Sequence, residues 1–275
     1  MKVARVFPTR TSMSPTDKDA YFGPPDLFTP AYDAVHISVL FTWDFGKAEQ
    51  LRREWESVAP VTIGGPAVHG ELPEPFVPGL YVGNGGTITS RGCPNECPWC
   101  FIRHPLVELD VHPGNNILDN NVLASSPAHL DAVFQMLDRE REIKFTGGLD
   151  AARITDDIAE RLRSLRLRRV YLAYDHPSRM NGFRRATGIL SKHLSREQVS
   201  AYVLIGHDGD TMDKAEGRLR ETWAAGVMPF AMLYRAKDGS YPQPEKEWRH
   251  FQRSWVRPAA IRATMKNIKQ GEIVE

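Results

Sequence analysis

All three cysteines of this 275-residue chain fall in one short run, Arg91-Gly-Cys-Pro-Asn-Glu-Cys-Pro-Trp-Cys-Phe101. An odd number of closely spaced thiols is a poor disulfide framework and reads as a reducing compartment. The fold must therefore stand on its apolar core. Cys93, Cys97 and Cys100, at spacings of four and three, can point into one concave loop and hold a soft metal centre. They leave one coordination position to another group or to a substrate. His104, four residues further on, would complete a three-cysteine, one-histidine set for structural zinc, the alternative reading of the same run.

From Leu80 onward, strand and helix patterns alternate. Strands are read near 86–90, 143–147, 168–174, 200–206 and 228–234, and helices near 127–140, 154–166, 181–192 and 212–225. Such alternation argues for parallel strands with crossover helices. In sheets of this kind ligands bind at the carboxyl ends of the strands. The cysteine run follows the first of these strands, with Arg91 and Gly92 leading into it.

The C-x3-C-x2-C spacing, with aromatic Trp99 before the last cysteine, resembles the radical S-adenosylmethionine enzymes. The resemblance implies that the three cysteines ligate three irons of a [4Fe-4S] cluster. S-Adenosylmethionine would chelate the fourth iron and be cleaved to a 5′-deoxyadenosyl radical that abstracts hydrogen from substrate. It implies an α/β fold with an open, partial parallel barrel, and an electron donor such as a flavodoxin or ferredoxin. Further motifs match at later strand ends. Gly147 and Gly148 stand where the family contacts the cofactor's amino group, with Asp150 displaced by one residue from the family's acid. Asp150 reads equally as a helix cap. Tyr174 and Asp175 stand where relatives touch the ribose or the methionine carboxylate side; a capping acid is the plainer reading of Asp175, and His176 reads as surface. Ile205 and Gly206 match the segment whose apolar strand edge packs on adenine, although His207 and Asp208 replace less polar residues. Tyr234 and Arg235, ending the last strand, are expected to face substrate. No catalytic residue is assigned. Asn115–Asn121 reads as a strand-like segment closing in turn residues; Asp119 to Asn121 could face the site, with loop-forming the favoured reading. Asp210 or Thr211 reads as a helix N-cap.

The first 78 residues are read as a separate small α/β segment. Residues 8–31 read as loop, Ala34 to Phe41 as a strand, Lys47 to Val58 as a helix with Leu51, Trp55 and Val58 on one face, and Val61 to Gly65 as a strand. This resembles a truncated cobalamin-binding domain. It is short and lacks the D-x-H-x-x-G run, so cobalamin is not expected. A proline-rich linker at 71–80 leads to the barrel at 79–240, and a tail packs on the barrel from 241 to 275.

Composition is that of an ordinary soluble protein, with 41% hydrophobic and 25% charged residues and a net charge of +1. No apolar run has membrane-span length and the N-terminus has no signal-peptide core, so a cytoplasmic protein is expected. In the tail, residues 246–269 carry seven Lys or Arg against one acid, with Trp248, Phe251 and Trp255 at helical spacing. The favoured reading is a helix packing its aromatic face on the barrel. The other is phosphate contact and base stacking, which would make the substrate a nucleic-acid base or nucleotide. A peptide or small metabolite is the alternative substrate. A non-catalytic zinc or iron–sulfur nucleic-acid-binding module is the alternative function. The five arginines from Arg161 to Arg169 read as a solvated helix end.

Overall fold

The structure, a computed structural model, describes residues 1–68, 80–102 and 104–271, the last five of these through their backbone. Of the linker read at 71–80, all but Leu80 lies outside the described residues.

The N-terminal part is a four-stranded parallel sheet, β1 (Val3–Val6), β2 (Ala20–Tyr21), β3 (Ala34–Ser38) and β4 (Val61–Gly64), in the order β2-β1-β3-β4. Helix α1 (Phe45–Trp55) lays Ala48, Leu51 and Trp55 on it. Val58 lies beyond the end of α1 and only fringes that core. Two strands exceed the sequence expectation. Strand β2 interrupts the stretch read as loop. Strand β1 contains a charged residue, which hides it from a hydrophobicity reading. Its Arg5 is nonetheless buried, because it donates to the Leu80 carbonyl at 2.6 Å and pairs with Asp17.

The larger sheet comprises β5 (Gly86–Thr87), β8 (Asn116–Ile117), β9 (Ile143–Leu149), β10 (Leu167–Ala173), β11 (Val199–Ile205) and β12 (Met228–Leu233). A short hairpin, β6 (Ser90–Arg91) with β7 (Val107–Glu108), lies between β5 and β8. All six strands are parallel, in the order β12-β11-β10-β9-β8-β5, so chain neighbours are sheet neighbours. Crossover helices α2 (Pro127–Leu137), α3 (Asp156–Ser164), α4 (Met180–Leu190) and α5 (Met212–Ala224) join the strands from β8 to β12. Strands β5 and β12 are the two edges of an open sheet, as expected for the α/β partial-barrel class. The Gly147–Gly148 strand is thus the third of the sheet, because the segment at 116–117 is a strand in its own right.

Helix starts follow their caps. Thr155 accepts from the Ile158 amide and Thr211 from the Lys214 amide, both N-caps with extended backbone. The helix-facing side of the sheet forms one core that includes Phe145, Val170, Leu172, Ala201, Val203 and Ala231. Alternation along the strands puts Tyr171, Tyr202 and Phe230 on the opposite, inner side. Tyr171 and Tyr202 stack at 4.4 Å, and Phe230 meets Tyr202 edge-on at 5.7 Å. The N-terminal part touches both sheet edges. A side chain at Gly86 of β5 would strike Met13, and Trp43 packs beneath Arg235, just beyond β12.

The tail forms α6 (Glu245–Ser254) and α7 (Pro258–Gly271). Trp248 and Trp255 are buried in the main core, with Phe251 packed against it. The Ala231 amide of edge strand β12 donates to the Trp255 carbonyl at 3.0 Å, and Gln252 Nε2 donates back to the Ala231 carbonyl at 3.1 Å. The tail therefore covers backbone groups that an edge strand would otherwise expose. The packing reading holds, and the aromatics that would have stacked on bases face inward. Arg161, at the start of the arginine run, pairs with Asp131 at 2.9 Å and lies over Phe134.

Trp255→Ala should cost about 3–5 kcal/mol in urea unfolding, as for other buried aromatic truncations. Replacing Arg249, Arg253 and Arg257 together with Gln should change stability by less than about 1 kcal/mol. A Trp255→Ala protein of unchanged stability would contradict this packing.

Candidate metal and cofactor site

Parallel pairing of β5 with β8 brings their carboxyl ends side by side. The three residues at 119–121, after β8, hold the approach to the cysteine run one by one. Asp119, 1% exposed, accepts from the Thr89 amide at 2.8 Å, the Thr89 hydroxyl at 2.7 Å and the Ser90 hydroxyl at 2.6 Å. Burial pushes its carboxyl above the ordinary carboxylate range, and these hydrogen bonds oppose the rise. Asn120 Oδ1 accepts from the Gly92 amide at 3.0 Å. Asn121 Nδ2 donates to Cys93 Sγ at 3.4 Å and to Asp150 Oδ2 at 3.3 Å. These residues do lie in a loop, as read, and their side chains also face the site. Their side chains are spent on the cysteine loop, which local turn chemistry cannot reveal.

The loop itself turns at Gly92, whose φ of +86° suits glycine and where a Cβ would strike the Pro105 carbonyl. Cys93, Cys97 and Cys100 form no disulfide and are half-buried. The Asn95 amide donates to Cys93 Sγ at 3.4 Å and the Ile102 amide to Cys100 Sγ at 3.5 Å. Burial raises the Cys97 thiol above its ordinary range; Arg179 opposes this, while Cys100, Asp175 and Cys93 add to it. Among the described residues no three His, Cys, Asp or Glu side chains form a group able to hold a metal ion. His104 is exposed, with Nδ1 3.4 Å from the Pro105 carbonyl. What fits an iron–sulfur group is the donor set: three thiols in one loop, with N–H groups already directed at two of their sulfurs.

The loop lies over the carboxyl ends of the strands. Asn95 Nδ2 donates to Asp150 Oδ2 at 2.8 Å, after β9. Asp150 also closes the short turn that follows, accepting from the Ala152 amide at 3.0 Å, while Thr155 caps the helix after it. After β10, Asp175 accepts from Trp99 Nε1 at 3.2 Å. Burial pushes its carboxyl up to about 6, against the Trp99 hydrogen bond and more distant guanidinium groups of Arg218 and Arg179. His176 stacks on Trp99 at 5.9 Å, and His207, after β11, meets Trp99 edge-on at 6.2 Å. Phe101 meets Tyr234, after β12, at 6.3 Å, and His207 meets the same ring at 4.7 Å. The sequence reading missed His176 and His207 as neighbours of the loop, although their place at strand ends was the available signal.

Three expectations change. Tyr174 is fully buried, stacks on Phe183 and donates to Glu221 at 2.8 Å, so it belongs to the core. Ile205 is likewise fully buried on the helix side and supports the strand end without presenting an edge there. Arg235 lies over Trp43 at 3.7 Å and donates to the Gly239 carbonyl at 2.8 Å, which turns it away from the inner face. Gly147 also serves strand packing, since a Cβ there would strike the Asp119 carbonyl. Gly148, at φ +91°, and Gly206, at φ +76°, lie in the left-handed region that favours glycine. The Gly206 amide donates to Asp210 Oδ2 at 2.8 Å, and Asp210 pairs with buried Arg218 at 2.6 Å, so Thr211 alone is the cap.

Among solved structures, the chain is similar to TsrM from Kitasatospora setae, a radical S-adenosylmethionine methyltransferase solved with cobalamin and a [4Fe-4S] cluster bound. The TM-score is 0.59 at 12% identity, over 85% of this chain and 75% of that one. The fold is thus of the radical S-adenosylmethionine type. No family model matches the chain, and no curated protein matches it by sequence.

Because its folded carboxyl titrates near 6, Asp175 stabilises the fold fully only below about pH 4, and that contribution is lost as pH rises through about 6. The difference in thermal midpoint between wild type and Asp175→Asn should therefore open between about pH 4 and pH 7, with the variant the more stable at neutral pH by up to about 3 kcal/mol. Parallel pH profiles for the two proteins would contradict the buried setting of this acid.

Proposed function

We propose that this protein is a radical S-adenosylmethionine enzyme. The observation that carries the reading is the cysteine loop pinned, through Asn95, Trp99 and Asn121, over the carboxyl ends of an open parallel sheet. The thiolates of Cys93, Cys97 and Cys100 would hold three irons of a [4Fe-4S] cluster. When bound, that cluster supplies the electron that cleaves S-adenosylmethionine to methionine and a 5′-deoxyadenosyl radical, which takes hydrogen from substrate. The residues here bind and orient. Asp150 would accept the cofactor's ammonium beside the Gly148 backbone, where the absence of a side chain permits close approach. Asp175 would accept ribose hydroxyls, with Trp99 and Gly206 flanking the nucleoside. The electron would come from a partner such as a flavodoxin or ferredoxin.

The inner face carrying Tyr171, Tyr202 and Phe230 would form the substrate wall, which suits a substrate whose enclosed part is uncharged. Nucleic acid is not proposed, because Trp248 and Trp255 are buried. Cobalamin is not part of the proposed activity. Glycine at 65, just after β4, has a packing cause: a Cβ there would come within 2.6 Å of the Val39 amide.

Anaerobically reconstituted protein should hold about four iron and four sulfide. Once reduced, it should release 5′-deoxyadenosine from S-adenosylmethionine. Cys93→Ala, Cys97→Ala and Cys100→Ala should each abolish both. Gly148→Val should keep the iron and lose cofactor binding by calorimetry. One tightly held zinc that survives reconstitution would overturn the proposal.

A further inference from the structure

Asn121 is 3% exposed, yet only its nitrogen is satisfied. Nδ2 bridges Cys93 Sγ and Asp150 Oδ2, at 3.4 and 3.3 Å, while Oδ1 has no hydrogen-bond partner. A buried amide oxygen without a partner costs about 1–3 kcal/mol. A leucine of similar volume would avoid that cost. Rotating the amide would bring its oxygen against the Asp150 carboxylate, so the donor orientation is dictated by its neighbours. The chain thus spends stability to keep an N–H at the first sulfur of the loop and at the carboxylate beyond the Gly147–Gly148 pair.

We infer that Asn121 is a positioning residue for the iron–sulfur centre, one that fixes Cys93 relative to Asp150 and eases reduction of the centre by donating to its sulfur. The inference rests on the radical reading of the site. A hydrogen bond to a ligating sulfur stabilises the reduced, more negative state, and its loss lowers the reduction potential. Asn121 lies outside the cysteine run and outside the glycine-pair segment. It comes from the end of β8, adjacent to Asp119 and Asn120, which hold Thr89, Ser90 and Gly92.

The test is a redox titration of the reconstituted full-length protein followed by electron paramagnetic resonance, with iron content and circular dichroism measured alongside. Asn121→Leu should keep the wild-type iron content and titrate at a lower potential. Asn121→Asp, nearly isosteric, should also titrate below wild type, because a carboxylate replaces the donor beside the sulfur; it carries the test if the leucine variant fails to fold. Full iron content with an unchanged potential in a folded variant would overturn the inference while leaving the radical reading intact. A wild-type protein that takes up no iron would overturn both.

Discussion

The buried carboxylate of Asp119 is the interaction on which the site depends. It sits just beyond β8 and accepts three hydrogen bonds from Thr89 and Ser90, where the chain passes from β5 into β6. A buried carboxylate is costly unless its oxygens are fully engaged, so the two strand ends are held in one relative position. That position sets where the chain leaves β5 and therefore where the cysteine loop begins. Asn120 and Asn121 continue the same clamp onto Gly92 and Cys93. A small residue at 147 is part of this arrangement, because the Asp119 backbone lies where its side chain would be.

From that anchored start the loop crosses the ends of the remaining strands. Each strand end offers it a different contact: a carboxylate at Asp150, a carboxylate and a ring at Asp175 and His176, and rings at His207 and Tyr234. These contacts are polar or aromatic, whereas the opposite side of the sheet is a continuous apolar core. One parallel sheet thus separates a stabilising face from a chemical edge, as its topology requires. The tail takes part on the stabilising side by bonding edge strand β12 and burying two tryptophans.

Strands β9 to β12 and helices α2 to α5 were legible in the sequence because long buried strands and amphipathic helices carry a clear period. The capping role of Thr211 and the inward aromatics of the tail were legible for the same local reasons. Strand β1 was not, since Arg5 breaks its apolar pattern and is compensated only by Asp17 and Leu80, far along the chain. For Asp119 to Asn121 turn chemistry outweighed a site-facing reading, because the partners that give them their role lie 28 to 30 residues away. Tyr174 and Ile205 were misplaced for a simpler reason. Side chains alternate along a strand, so a shift of one residue moves a contact from the inner edge to the core.

The central claim is that three cysteines hold a cluster whose remaining iron is reserved for S-adenosylmethionine. Mössbauer spectroscopy of protein reconstituted with enriched iron tests it most directly. Adding S-adenosylmethionine should change the signal of about one iron in four and leave the others as they were. A spectrum in which no iron responds to the cofactor would contradict the account.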